Sequence, residues 1–322
     1  MAYNICRCLV AISLPKCYNW HMENATGDNE AVALDLLLEK VCQDGGHDFR
    51  GYRRSTVTRR LQRRLWASGA RTYQDYMQFL DAHPEEYEKL VDCLTVCVSG
   101  FYRSPYTFEQ FSRLVVPELV ASKKRQGDRS LSFWSTACAR GEEPYSIALL
   151  FADYLGDERK NFNISLYATD INRRVLREAQ AGVYSHEELE SLPPALLTKY
   201  FTPGNKDYTI NSTIKEMVSF SYFDLISPSA LPFTNVDGIF CRNVLIYLQK
   251  HLQQKVLEML FNALATPSYL VLGEVEALPQ SFDGKLKCLD SQAKIYQKDG
   301  RCARGIELET NSYCRGDRET IG

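Results

Sequence analysis

The segment "STACARGEEPYS" combines small residues with two adjacent acids, Glu142 and Glu143. Small residues such as Ala137 let the main chain approach a ligand closely, as glycine-rich turns do. Carboxylates in this place repel a pyrophosphate but suit a cationic or hydroxyl-rich ligand. The alternative interpretation is that the two acids only complement the dipole of the helix that follows.

Two further segments place polar residues directly after apolar runs. "LYATD" ends at Asp170, and an acid in this place of a nucleotide-binding sheet accepts hydrogen bonds from ribose hydroxyls. Its alternative role is to cap the helix that follows. "FCRNVLIYL" brings Arg242 and Asn243 beside a buried strand, which favours a binding site over a cluster of strand-end polar groups.

These three segments together favour S-adenosylmethionine as the ligand. That cofactor contains a ribose and an adenine, carries a sulfonium cation and has no phosphate. A turn of small residues with acids, a ribose-type Asp and no phosphate-binding loop match each of these properties.

The elements around the three segments predict an α/β fold. Strands alternate with helices after Arg103, which indicates a mostly parallel, doubly wound sheet with an antiparallel hairpin at its end. Ligands bind such a sheet outside the carboxyl ends of its strands, where all three segments fall. From Glu30 to about Leu94 the apolar residues follow a helical period, which predicts a small all-helical domain.

We divide the chain into five parts on this basis. We expect poorly ordered ends at residues 1–28 and 300–322, because neither has a sustained period. Between them we predict the helical domain at 29–94, a linker at 95–112 and the α/β domain at 113–299.

The composition narrows the function classes. Lys+Arg 38 against Asp+Glu 40 gives a net charge of −2, so bulk charge does not favour a nucleic-acid partner. The 11 cysteines form no Cys-x-x-Cys pair and the five histidines are scattered, which argues against a metal site and for reduced thiols in the cytoplasm. No apolar run approaches the roughly 18–20 residues of a membrane span. We therefore expect a cytoplasmic monomer with no metal, no nucleic-acid partner and no membrane insertion.

Four motifs follow one another along the chain: "GEEPYSIALL", "ATDINRRVLREAQAGVY", "IFCRNVLIYL" and "YLVLGEVEAL". In this order they resemble the motifs of the chemotaxis receptor methyltransferases, the CheR family. The likeness runs from about Glu30 to Lys298. The resemblance implies a class I S-adenosylmethionine methyltransferase (Rossmann-like) sheet, an all-helical N-terminal domain and a small inserted β-subdomain at about residues 200–220.

The resemblance also implies site residues. In the linker motif "VCVSGFYR", Cys97 stands where the family normally has Asn, and a thiol is a much poorer hydrogen-bonding group than a carboxamide. We expect Arg103 and Tyr247 to orient the methyl acceptor, although Arg103 has the alternative role of anchoring the linker. The cofactor contacts that the resemblance implies are Cys97, Ser99, Arg103, Ala137, Glu143, Asp170, Asp224, Leu225, Arg242 and Asn243.

A cluster of arginines suggests how the acceptor docks. Eight arginines and no lysine lie between Arg50 and Arg71, with Asp48 as the nearby acid. Such a stripe suits an acidic partner, either the helices of a chemoreceptor or a nucleic acid, and the resemblance favours the receptor. The alternative is a solvated helix face. The predicted docking residues are Arg53, Arg54, Arg60, Arg63 and Arg64.

The leading hypothesis is a protein-glutamate O-methyltransferase that acts on the cytoplasmic helices of chemoreceptors and releases S-adenosylhomocysteine. Two alternatives remain open. One is an S-adenosylmethionine methyltransferase with another acceptor, because a fold does not fix a substrate. The other is a receptor adaptor that binds the cofactor without turnover.

Overall fold

The computed structural model describes residues 27–228 and 230–299. The predicted ends, residues 1–28 and 300–322, therefore lie outside the described residues, except that the first helix already begins at Gly27. Across these described ranges, no helix is long and apolar enough to cross a membrane.

Between residues 27 and 94 the structure contains four helices, which confirms the predicted all-helical domain. Thr72 and Asp75 form a capping box at the start of the third helix. The second helix ends at Gly69, whose φ of +76° is the left-handed conformation that glycine adopts without strain. Buried residues such as Leu37 and Tyr76 fill the common core. The helices are α1 (Gly27–Gly45), α2 (Arg54–Ser68), α3 (Tyr73–Ala82) and α4 (Glu86–Leu94).

The helices and strands that follow alternate as the sequence predicts. In chain order they are α5 (Pro105–Leu114), α6 (Val116–Arg125), β1 (Ser130–Thr136), α7 (Glu142–Leu155), β2 (Asn163–Asp170), α8 (Arg173–Ala181), β3 (Val183–Ser185), α9 (Pro194–Tyr200), β4 (Phe201–Pro203), β5 (Asp207–Ile210), α10 (Ser212–Lys215), β6 (Val218–Tyr222), β7 (Val236–Cys241), α11 (Lys250–Ala263), β8 (Leu264–Leu272), β9 (Lys287–Asp290) and β10 (Ile295–Lys298).

A seven-stranded sheet organises these elements, with the strand order β6-β2-β1-β7-β8-β10-β9. The first five of these strands run parallel, whereas β10 pairs antiparallel with both β8 and β9. This confirms the doubly wound sheet with an antiparallel edge. Because β6, β2, β1, β7 and β8 end on the same side, we call that side the carboxyl edge and the opposite side the amino edge.

The predicted linker is wrong in its second half. Residues 105–112 belong to α5, and the rings of Phe108 and Phe111 are buried in the core of the large sheet. Burial of such rings stabilises a fold by about 1.5–3 kcal/mol each, so α5 is part of the α/β domain.

The predicted bounds of the β-subdomain, residues 200–220, are also wrong. A three-stranded antiparallel sheet, β3-β5-β4, begins earlier, at Val183, and ends at Ile210. Residues 218–222 form β6 of the large sheet instead. The sequence pattern missed β3 because its three residues directly follow the helix that ends before Gly182.

Candidate active site

A cleft opens at the carboxyl edge of the large sheet. It encloses about 800 Å³, its open mouth included. Tyr52 and Leu94 of the helical domain form one wall. The predicted site residues that line it are Cys97, Ser99, Arg103, Ala137, Glu143, Asp170, Arg242, Asn243 and Tyr247.

The turn from β1 into α7 forms the floor of the cleft. Ala137 and Ala139 have φ of 52° and 49°, and Gly141 has a φ of 90°. A Cβ on Gly141 would lie 3.0 Å from the Cβ of Ala179 and 3.1 Å from Cζ of Phe220. Gly141 therefore suits the turn both in its backbone conformation and in its close packing, whereas Ala137 and Ala139 adopt the left-handed region at a cost in free energy.

The two adjacent acids of this turn have different surroundings. Glu143 lines the cleft, accepts a hydrogen bond from Ser135 Oγ at 2.8 Å and pairs with Arg242 Nη1 at 3.2 Å. Burial raises the pKa of Glu143, and Arg242 and Ser135 oppose that rise. Glu142 is 3% exposed, and its Oε2 has no hydrogen-bond partner among the described residues. Burial raises the pKa of Glu142 to about 7.

Asp170 ends β2 and lines the cleft. Its Oδ2 accepts from the amide of Ala139 at 2.9 Å and its Oδ1 from the amide of Asn172 at 2.9 Å. Each carboxylate oxygen can accept a second bond, so both retain capacity for hydroxyl donors. Burial raises the pKa of Asp170, and the amides oppose that rise. The cap of α8 is Asn172, whose Oδ1 accepts from Arg174 and Val175, so capping does not account for Asp170.

Arg242 crosses the cleft from the end of β7. Its side chain is 1% exposed, and its Nη2 donates to the main-chain carbonyl of Arg103 at 2.8 Å. Its guanidinium also lies 5.3 Å from the centroid of the Phe108 ring. Its Nε is buried without a partner among the described residues. A buried donor without a partner costs free energy, so this atom marks a place for a ligand acceptor.

Arg103 lies at the mouth of the cleft on a constrained piece of chain. The residues on either side, Tyr102 and Ser104, have φ of 48° and 63°. The amide of Tyr102 donates to Ser146 Oγ at 2.9 Å, and Arg103 Nη1 donates to the carbonyl of Val98 at 2.8 Å. Four other N–H donors of the same guanidinium can serve a ligand.

Tyr247 lies where the helical domain meets the cleft. The amide of Arg53, at the start of α2, donates to the carbonyl of Tyr247 at 2.8 Å. The amide of Gln249 donates to the carbonyl of Gly51 at 3.0 Å. Main-chain hydrogen bonds therefore join the helical domain directly to the loop that follows β7.

Cys97 lies in the cleft wall beside Asn172. Its Sγ is 3.4 Å from Thr95 Oγ1 and 3.5 Å from Asn172 Nδ2. Burial raises the pKa of Cys97. The thiol is thus a weakly polar neighbour of the cleft in its protonated form.

Asp224 and Leu225 are not among the described residues that line the cleft. Asp224 Oδ1 accepts from the amide of Ile226 at 2.8 Å, and the residue lines a separate groove beside Asp48 and Cys42. Burial raises the pKa of Asp224. Leu225 packs against the apolar core beneath α11. The cleft as described therefore does not include these two predicted contacts.

The predicted docking stripe is wrong for Arg60 and Arg64. Arg60 Nη1 donates to the carbonyls of Cys93 and Thr95 at 2.7 and 2.9 Å. Arg64 Nε donates to Glu86 at 2.8 Å, and that carboxylate is 2% exposed. These two arginines hold α4 against α2 and are not free for a partner.

The other three predicted docking residues, Arg53, Arg54 and Arg63, are exposed. Arg54 pairs with Asp35. Trp66, which follows Arg63 by three residues, is 87% exposed.

The sequence missed residues that hold the site together. Ser135 orients Glu143, and Asn172 Nδ2 donates to Asp92 at 2.7 Å and to Thr95 at 3.0 Å, which joins the helical domain to the end of β2. The sequence does contain a sign of their role: Ser135 lies at the end of β1 and Asn172 lies just after β2, and the site was predicted from the ends of these strands.

Comparison with known proteins identifies the family. The CheR methyltransferase SAM-binding domain matches residues 98–295, and the CheR methyltransferase all-alpha domain matches residues 33–95. The chain belongs to the CheR methyltransferase family.

Individual relatives agree with this assignment. A chemotaxis protein methyltransferase of Klebsiella aerogenes is 32% identical over 76% of this chain and 82% of the relative. One of Escherichia coli is 31% identical over 74% of this chain and 82% of the relative. An uncharacterized 104.1 kDa protein of Rhodobacter capsulatus is 31% identical over 84% of this chain, but this chain spans only 28% of that protein.

The cleft of this CheR-family methyltransferase fits its cofactor, S-adenosylmethionine. Arg242 Nε is a buried donor without a partner, and the Asp170 oxygens have capacity for two hydroxyls. The turn after β1 presents Glu143 and the small residues Ala137 and Ala139 to the cleft, which suits a ligand with a cation and no phosphate.

Proposed function

We propose that this protein methylates glutamate side chains on the cytoplasmic helices of chemoreceptors, acting in the cytoplasm as a monomer. The products are glutamyl methyl esters and S-adenosylhomocysteine. The observation that carries the proposal is the arrangement of Arg103 at the mouth of a cleft whose interior holds Glu143, Asp170 and Arg242. A carboxylate can be received at the mouth while a cation-bearing donor lies inside.

Within the cleft we assign one part of the cofactor to each of three residues. Asp170 accepts from the ribose hydroxyls, using the lone pairs that the amides of Ala139 and Asn172 leave available. Arg242 receives the carboxylate of the methionyl part through its unpartnered Nε. Glu143, held by Ser135, faces the ammonium group.

The acceptor needs no general base. A glutamate has a reference pKa of about 4.3, so at neutral pH its carboxylate is already the nucleophile. The bound cofactor supplies an electrophilic methyl group: a C–O bond forms to the acceptor, the C–S bond breaks, and its electron pair stays on sulfur without any proton transfer. Holding the acceptor in line can lower the barrier by roughly 7–11 kcal/mol, which leaves orientation as the task of the protein.

Arg103 and Tyr247 perform that orientation in our proposal. Arg103 can bind the carboxylate through N–H donors beyond the one that Val98 uses. Tyr247 borders the same mouth and adds a hydroxyl that can donate to a second acceptor oxygen. The main-chain bond from Arg53 fixes its position relative to the helical domain.

The receptor docks, we propose, on the exposed start and outer face of α2. Arg53 and Arg54 directly follow Tyr52, which lines the cleft. Arg63 continues the surface together with Arg59 and Trp66, and all five of these residues are exposed. Exposed arginines attract an acidic partner, and an exposed Trp provides the apolar anchor that interfaces commonly use. Charge reversal of Arg59 and Arg63 should raise the KM for receptor and leave kcat unchanged.

The decisive experiment is a methyl-transfer assay with S-adenosylmethionine labelled on its methyl group and cytoplasmic fragments of chemoreceptors. We expect label on glutamates that mild base releases, because carboxyl methyl esters hydrolyse readily. A base-stable label, or label on another acceptor only, would indicate a methyltransferase of different specificity. Calorimetric binding of S-adenosylhomocysteine without any label would instead indicate an adaptor without turnover.

A further inference from the structure

A buried carboxylate outside the cleft lining holds the loop that follows β7. Glu276 lies four residues after the end of β8 and is 4% exposed. Its Oε2 accepts from the amide of Asn243 at 3.0 Å and from that of Gly273 at 2.7 Å. Its Oε1 accepts from the amides of Leu245 at 2.8 Å and Ile246 at 3.3 Å.

Three of these four amides belong to the loop that carries Asn243 and Tyr247. Asn243 has a φ of 59°, a left-handed conformation that costs free energy in a residue other than glycine. Leu245–Tyr247 is a single 3₁₀ turn, whose first amides have no partner within the turn. One side chain therefore provides the acceptors that stabilise both unusual parts of the loop.

The approach of the two loops is tight. A Cβ on Gly273 would lie 2.8 Å from the amide nitrogen of Asn243 and 2.7 Å from Oε2 of Glu276. Contacts this short exclude a side chain at position 273. The absence of a Cβ there allows the carboxylate to reach Asn243 at all.

We infer that Glu276 is a positioning residue for methyl transfer, which sets the main chain of Asn243 and Tyr247 without touching either reactant. The inference rests on the proposed function, in which Asn243 contacts the cofactor and Tyr247 the acceptor. Glu276 is not among the described residues that line the cleft, so its effect must pass through the loop.

Glu276→Gln tests this inference with the smallest change in shape. The amide replaces one acceptor oxygen by a donor, which faces the backbone N–H groups. Because hydrogen bonds to a charged group are lost, we expect the affinity for S-adenosylhomocysteine and kcat each to fall by about tenfold or more. Glu276→Asp keeps two acceptor oxygens on a shorter stem and should recover part of both.

The matched control is Asp237→Asn. Asp237 is a buried carboxylate near the start of β7, where it accepts from the amide of Ser132 at 2.8 Å and pairs with Lys123 at 2.8 Å. The same chemical change there should lower the melting temperature and leave kcat and cofactor affinity within about twofold, because Asp237 lies at the amino edge and the cleft lies at the carboxyl edge. Assays should be run well below the melting temperature of each variant.

The inference is overturned if Glu276→Gln keeps wild-type kcat and cofactor affinity, or if Asp237→Asn loses both to the same extent at equal loss of stability. If Glu276→Gln does not fold, Glu276→Asp takes its place. Its kcat and its affinity for S-adenosylhomocysteine are then compared with those of Asp237→Asn at equal loss of stability. Failure of the wild-type protein to label any receptor refutes the proposed function alone, because S-adenosylhomocysteine affinity still decides the role of Glu276.

Discussion

Asp237 at the amino edge of the large sheet and the cleft residues Arg242 and Asp170 at its carboxyl edge differ in how their buried polar atoms are bonded. At the amino edge, Asp237 is bonded to both the amide and the hydroxyl of Ser132, and Lys123 neutralises it. At the carboxyl edge, Arg242 has a buried Nε with no partner among the described residues, and Asp170 keeps capacity for two more donors.

This difference separates structural from functional polarity. A buried ion pair whose atoms all have hydrogen-bond partners has no donor or acceptor available for a ligand. Removing one of the two partners therefore mainly lowers the stability of the fold. A group fixed by some of its bonds and lacking others is held in place for a further partner. The following substitutions test whether ligand-binding residues are distinguished by the unused hydrogen-bonding capacity of their polar atoms and not by burial alone.

Arg103→Ala should give the largest effect. Arg242 is anchored on the main-chain carbonyl of Arg103, so truncation removes the guanidinium at the mouth and leaves that anchor intact. We expect kcat to fall by about 100-fold, as when one preorganised donor is removed from an active site. Binding of S-adenosylhomocysteine, measured by calorimetry, should change by less than about threefold. Arg125→Ala, at an exposed arginine of α6, is the control. Equal losses of turnover and binding would remove Arg103 from the catalytic role.

Asp170→Asn should weaken the cofactor itself. The amide nitrogen would face the N–H of either Ala139 or Asn172 and could not accept from ribose. Loss of bonds to a charged group predicts a decrease of roughly 10- to 100-fold in affinity for S-adenosylhomocysteine. Asp128→Asn, at a partly exposed carboxylate of the amino edge that pairs with Lys123, should leave that affinity unchanged. An unaltered affinity in Asp170→Asn would contradict the ribose assignment.

Glu142→Gln tests a buried carboxylate at the carboxyl edge that has an unpartnered oxygen and whose effect we expect on stability. Glu142 does not line the cleft, and its pKa is raised from about 4.5 to about 7 by burial. The folded state thus holds the proton more tightly than the unfolded chain. Its contribution to stability is full below pH 4.5 and is lost as the pH rises through 7.

The variant should therefore be more stable than wild type by about 1–3 kcal/mol at pH 8 and nearly equal to it at pH 4.5. Urea unfolding at both pH values measures the difference. A difference that is independent of pH would show that Glu142 does not titrate in this range.

Cys97→Asn should give the smallest effect and in the opposite direction. A carboxamide in the cleft wall offers a stronger donor and acceptor than the thiol. We expect the affinity for S-adenosylhomocysteine to rise by about threefold, a typical gain for one neutral hydrogen bond. Cys288→Asn, at an exposed thiol in β9, should show no change. A weaker affinity in Cys97→Asn would mean that the thiol packs against the cofactor without bonding to it.

The sequence was sufficient to predict those cleft residues whose location follows directly from the end of a strand. Asp170 and Arg242 each follow an apolar run, Glu143 follows the turn after β1, and parallel strands bring their carboxyl ends to one edge. Asp224 follows β6 in the same way, yet its carboxylate folds back onto the amide of Ile226 and lines another groove. That turn depends on residues beyond the strand, which the pattern does not encode.

Tertiary partners were the other feature that the pattern could not show. Arg60 and Arg64 lie on the expected helix, but their partners come from α4 and the residue after it, more than 20 positions away. Glu276 was missed for the same reason, because its four amides come from two loops. Helical spacing predicts which residues share a face, and only the fold shows what covers that face.

The seam between Gly51 and Gln249 has a consequence for how this enzyme could acquire new targets. A Cβ at Gly51 would fall 1.9 Å from Cδ1 of Leu252, so a side chain at that position requires the Leu252 side chain to move. Main-chain atoms make two of the bonds across the seam, and the Gln249 side chain adds a bond to the carbonyl of Arg50. Arg53 also contributes its side chain, because its Nε donates to the carbonyl of Leu248 at 3.4 Å. On our proposal, a substitution of Arg50 changes the charge beside the seam and leaves the catalytic loop in place, because Arg50 contributes only its main-chain carbonyl to these bonds.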